Sequence, residues 1–82
     1  MTTRVFEDDQ GTAWEAFAAD RIVAHGRPGA VLSFRRVGGD PDEYVTSTIT
    51  FNSFQAAAFA LETMSEKELR RRMSLAVQAA GV

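Results

Sequence analysis

His25 is the one side chain in this 82-residue sequence whose ordinary pKa lies near neutrality. A hydrolytic relay built on it needs a serine nucleophile and a carboxylate within hydrogen-bond reach. The nearest serine, Ser33, lies across a turn and carries no nucleophile motif. His25 therefore reads as a turn or surface histidine. The sequence has no cysteine, which removes disulfides, thiolate nucleophiles and the usual structural zinc sites together. Two acidic clusters remain, Asp8-Asp9 and Asp40, Asp42, Glu43. Neither has the spacing of a calcium loop, and aspartates favour turns for local hydrogen-bonding reasons. Gly38-Gly39 and Gly26-x-x-Gly29 are too short for a phosphate-loop fingerprint. No catalytic constellation, metal site or cofactor is expected, and the chain reads as a non-enzyme.

Cations offer a second kind of chemistry. Arg35 and Arg36 sit together, as do Arg70, Arg71 and Arg72, and a nucleic-acid surface needs several such groups on one face. Consecutive helical residues are about 100° apart, so three in a row fan around a helix rather than converge. Glu66 and Glu68 also stand one turn before Arg70 and Arg72, placed for i,i+4 pairing. The formal charge of −2 supplies no general attraction to phosphate.

The elements that position these residues follow from pattern. Asp8-Asp9-Gln10-Gly11 has the composition of a three-residue hairpin loop with glycine in the left-handed region. Over Thr3 to Ala18 that loop pairs Asp8 with Thr12, Phe6 with Trp14 and Arg4 with Ala16. Asp20 to Gly29 reads as a loop or short strand around Ile22 to Ala24, with a type II turn at Gly26-Arg27-Pro28-Gly29. Ala30 to Val37 alternates, with Leu32 and Phe34 on one side. Tyr44 to Phe51 alternates too, with Val45, Ser47, Ile49 and Phe51 on one side and a threonine row on the other.

Asn52 with Gln55 suggests a capping box opening a helix from Ser53 to about Thr63, with a stripe of Phe54, Ala58 and Leu61. Ser65 with Glu68 is a stronger one, stapled by Met64 and Leu69. It opens a helix whose apolar stripe is Leu69, Met73, Ala76, Val77 and Ala80, closed by Gly81. Strands first and helices last favour an α+β fold. The expected architecture is a four-stranded, mostly antiparallel sheet with two C-terminal helices packed on one face, as a single domain over residues 1–82. Such a domain buries only about 60–65% of its unfolded surface, enough for one modest core and no deep cleft.

If those registers hold, Val5, Phe17, Val31 and Tyr44 lie together on the face away from Trp14 and Phe34. An uncovered sheet face carrying apolar residues is a contact surface. The competing arrangement has the loop around Ile22 to Ala24 folded over it. The polar, acidic start MTTRVFEDD and the lack of any apolar run near the ~20 residues of a membrane span predict a soluble, cytoplasmic chain without membrane insertion.

Phe6-x-Asp8-x-x-Gly11-x-x-Trp14, together with the terminal Ser65-Glu66-Lys67-Glu68-Leu69 helix start, resembles a group of small uncharacterised bacterial proteins with an F-x-D-x-x-G-x-x-W hairpin. The resemblance covers under half of the chain and implies no activity or catalytic residue. The expected function is a non-catalytic protein-interaction module, self-associating or an accessory subunit of a larger assembly. The alternative is a small nucleic-acid-binding regulator using Arg35, Arg36, Arg70, Arg71 and Arg72.

Overall fold

The computed structural model describes residues 3–22 and 26–81. Strands β1 (Thr3–Glu7), β2 (Ala13–Ile22), β3 (Pro28–Arg36) and β4 (Val45–Phe51) precede helices α1 (Phe54–Thr63) and α2 (Glu66–Ala80). The strands form one antiparallel sheet in the order β1-β2-β3-β4. Both helices pack on the same face, giving the α+β arrangement expected from the sequence.

The first hairpin has the predicted register, with Phe6 opposite Trp14 and Arg4 opposite Ala16. Gly11 takes φ +79°, and the Asp8 amide donates to the Thr12 carbonyl at 3.0 Å. Asp8 holds this turn with its side chain. One oxygen accepts from the amides of Gln10 and Thr12, and the other accepts the Trp14 indole N–H, all at 2.9 Å. These bonds stabilise the ionised form. The Trp14 indole, then the Thr12 amide, keep this carboxyl below its ordinary range.

The second hairpin is longer than the pattern suggests. β2 continues to Ile22 and β3 begins at Pro28, pairing Arg21 with Gly29 and Ile22 with Pro28. Pro28 and Gly29 are therefore strand residues rather than the end of a type II turn; proline is tolerated as a first strand residue because no ladder N–H is asked of it there. Val23, Ala24 and His25 lie outside the described residues. The pairing was hidden because Asp20, Arg21 and Ile22 are all exposed, so no alternation marks the strand.

The core lies between the sheet and the helices. Phe6, Trp14, Leu32 and Phe34 meet Leu61, Leu69 and Met73, while Ala16, Ala18, Ala30 and Ala57 let the backbones approach. The Phe6 and Phe34 rings pack edge to face with centroids 6.2 Å apart. β4 departs from simple alternation because its register against β3 shifts between Val31 and Ser33. Val45 and Phe51 still pack on the core, but Ile49 is exposed and Ser47 turns its hydroxyl to the Ile49 amide.

Both helix starts are capped by serine. Ser53, not Asn52, caps α1, accepting from the Ala56 amide at 3.1 Å. Ser65 caps α2 by accepting from the Glu68 amide. The Glu68 carboxylate does not return to Ser65 but receives Arg71 and Arg72 at 2.8–3.0 Å. On α2, Leu69, Met73 and Ala76 are buried, whereas Val77 is 40% exposed and Ala80 lies at the surface. Val77 falls on the flank beside Trp14 because the i, i+4, i+7 row ends on Ala76.

Arg71, then Arg72, lower the Glu68 pKa from 4.5 to about 2. A depressed folded pKa contributes stability that is fully present above the unfolded value and is lost as pH falls through the folded one. Thermal melts should therefore lose stability as pH falls from 4.5 toward about 2, and Glu68→Gln should flatten that dependence. An unchanged acid slope in the variant would remove Glu68 as its source.

Candidate protein-interaction surface

The face of the sheet opposite the helices, the open face, carries no helix among the described residues. Alternation along β2 sends Trp14, Ala16 and Ala18 to the core and leaves Glu15, Phe17 and Ala19 on the open side. Register then places Val5 beside Glu15, Arg35 on its other side, and Phe17 between Thr3 and Ser33. Thr46 follows opposite Ser33. Of the stretch Asp20 to Gly29 that reads as a loop or short strand, residues 20–22 and 28–29 are paired strand, while Val23 and Ala24 of the loop expected in the competing arrangement to cover this face lie outside the described residues.

Across this face the side chains form a connected row. Arg35 Nε donates to Glu15 Oε1 at 2.7 Å, and the Arg35 guanidinium lies 4.6 Å from the Phe17 ring centroid. Phe17 in turn meets Tyr44 edge to face at 5.9 Å. Beneath them Ser33 is buried and shares a 3.1 Å hydrogen bond with the Thr46 hydroxyl.

Of the four residues expected to form the surface, all lie on this side, but their exposures divide them. Val5 is 60% and Tyr44 55% exposed, Phe17 is half-buried, and Val31 is 3% exposed. Val31 is therefore part of the floor that supports the surface rather than a contact. Glu15, Ser33 and Thr46 also lie on this side, where alternation directs them, although the expected contact set did not include them. Pairing β2 with β3 at the observed register would have shown Glu15 opposite Arg35, but nothing local in the sequence specifies that register.

The arginines do not converge. Arg35 belongs to the open face, whereas Arg36 lies on the other side with its guanidinium 5.6 Å from the Trp14 ring centroid. Arg71 and Arg72 are tied to Glu68 on α2, and Arg72 Nη1 is buried without a hydrogen-bond partner. Arg70 stands beside Trp14 and Met73. The sheet itself thus separates Arg35 from the α2 cations.

Several shallow concavities lie among the described residues. One of them, of about 430 Å³, is lined by Trp14, Arg36 and Tyr44 together with Asp40, Asp42 and Glu43. Asp40 uses one carboxylate oxygen to accept the Asp42 amide at 2.9 Å, the local turn chemistry expected of it. Among the described residues no group of three or more histidines, cysteines or carboxylates is placed to hold a metal ion. No described helix is long and apolar enough to cross a membrane. In comparisons with known proteins, no family model, no curated protein and no solved structure matches this chain.

Proposed function

We propose that the protein is a non-catalytic interaction module that uses the open sheet face to bind protein, either as a self-associating unit or as an accessory subunit. The observation that carries this reading is the row Glu15, Arg35, Phe17 and Tyr44. It pre-orders an aromatic and cationic surface on a rigid sheet, with Val5 and Tyr44 more than half exposed. Ordered aromatics limit the entropy lost on binding, and Arg and Tyr are frequent anchors at interfaces. A cytoplasmic setting, suited by the lack of cysteine, and kinship with the small bacterial hairpin proteins belong to the same proposal.

The test is to capture partners from native lysate with wild-type and Phe17→Ser/Tyr44→Ser baits, each with and without nuclease. The double variant is expected to keep its circular dichroism spectrum, because both side chains lie away from the core, and to lose the protein partners wild type retains. Partners held equally by both baits would rule the face out. Recovery that collapses with nuclease would favour the arginine alternative. Nucleic-acid binding would also weaken steeply with salt, and its five arginines would have to act from separate surfaces.

A further inference from the structure

We infer that the bulge in β4 guards an edge of the sheet and keeps this chain from pairing strand to strand with another copy. The inference is independent of the open face, because it concerns the side of β4 that has no strand beside it. In the order β1-β2-β3-β4 the two edges are β1 and β4. An edge strand presents a row of free amides and carbonyls, and folded proteins blunt such rows with charges, brevity, proline or bulges. β1 has five residues and carries Arg4 and Glu7. β4 has seven residues with no charge and no proline, and all but Ser47 are β-branched or aromatic. That composition is the kind that templates another strand. Among the described residues no backbone group of β4 bonds to backbone outside the sheet.

The bulge lies in the middle of this edge. Ser33 pairs with Thr46 and Val31 with Thr50, so one residue of β3, Leu32, faces three of β4, Ser47, Thr48 and Ile49. Two residues are therefore extra. An even excess preserves alternation, and Val45 and Phe51, on either side of the bulge, both pack on the core. Without Ser47 and Thr48 the strand would run Val45, Thr46, Ile49, Thr50, Phe51 in simple register against Phe34, Ser33, Leu32, Val31 and Ala30, with every flanking pair unchanged. The flanking core contacts thus do not call for the extra residues.

What the extra residues change is the edge. They break the regular two-residue spacing of outward backbone groups on which an added strand depends. The Ser47 hydroxyl also accepts the Ile49 amide at 3.2 Å, which withdraws that donor from an approaching strand. Ser47 is itself buried, so water does not compete for this bond.

Sedimentation of the purified full chain against two variants, one lacking Ser47 and Thr48 and one lacking Thr48 and Ile49, tests this, with circular dichroism as a fold control. At least one deletion is expected to fold and to raise the weight-average mass about twofold or more over the parent chain at ~100 μM. Association through the open face is common to parent and variant and does not enter the comparison. Adding Thr50→Lys to the associating variant is expected to return the parent's mass, because a charge on the straightened edge resists pairing. A folded deletion variant with the parent's mass overturns the guard. Association that Thr50→Lys leaves unchanged overturns it too, since that contact would not run through β4. If neither deletion folds, the bulge is a requirement of the core and the inference falls, while the open face keeps its own test.

Discussion

Phe34→Ala is expected to remove a large share of the protein's stability, whereas Phe17→Ala, on the neighbouring strand, removes little of it. The difference lies in which side of the sheet each ring occupies. Phe34 is fully buried, packs edge to face on Phe6 and belongs to the core cluster to which both helices contribute. Removing such a ring costs about 3–5 kcal/mol through lost burial and the cavity left behind. A domain of 82 residues has a total stability of roughly 4–12 kcal/mol at 0.05–0.15 kcal/mol per residue, so the loss takes a large share of it. Phe17 is half-buried and makes its contacts with Tyr44 and Arg35, so its truncation should cost about 1–2 kcal/mol. Urea denaturation of both variants distinguishes them. Equal loss of stability would mean that Phe17 belongs to the fold, and the open face would then have no case as a binding surface.

Arg4→Met should destabilise the protein by about 2–3 kcal/mol, more than any other change to a partly exposed residue considered above. Arg4 reaches from β1 to the junction of the two helices. Its Nη1 donates to the carbonyls of Leu61 and Met64 at 2.9 Å each and approaches that of Glu62 at 3.4 Å. The last carbonyls of a helix have no intrahelical partner and carry the negative end of its dipole, so a cation there meets both needs. No basic residue of α1 occupies its own last turn. Methionine keeps the apolar stem and removes the donors, which isolates the capping role from packing. Arg4→Lys should restore part of the loss, since a single nitrogen supplies the bonds to Leu61 and Met64. The check is urea denaturation of the Met and Lys variants against wild type. A Met variant as stable as wild type would show that water satisfies these carbonyls equally well.

The first hairpin and the second helix start were legible because their chemistry is local. Asp8 and Gly11 specify a turn within four residues, and that turn sets the register that brings Phe6 to Trp14. Ser65 caps α2 through an amide three residues away. The helix ends and strand limits were read less well where local rules compete. Asn52 and Ser53 are both good caps, and only the path of the chain from β4 chooses Ser53. Glu68 has two nearby cations that outbid the Ser65 amide for its carboxylate.

The candidate surface was half legible for the same reason. Alternation alone assigned Val5, Phe17, Val31 and Tyr44 to one side, because a strand's side-chain period is fixed by its backbone. How deeply each lies depends on neighbours from other strands. Val31 is covered while Val5 stands free on an edge strand.

The sequence by itself determined the element order, the register of the first hairpin, the Ser65 cap of α2 and the sharing of one side by Val5, Phe17, Val31 and Tyr44, since these follow from turn chemistry, capping and periodicity acting over a few residues. Only the tertiary structure decided that β2 and β3 pair out to Ile22 and Pro28, that Ile49 is turned out by the shifted β4 register, and that Glu15 meets Arg35. It also decided that Arg4 caps a helix more than fifty residues away. Each of these depends on contacts between segments distant in the chain, whose closeness is set by the packing of the whole core and not by any local preference.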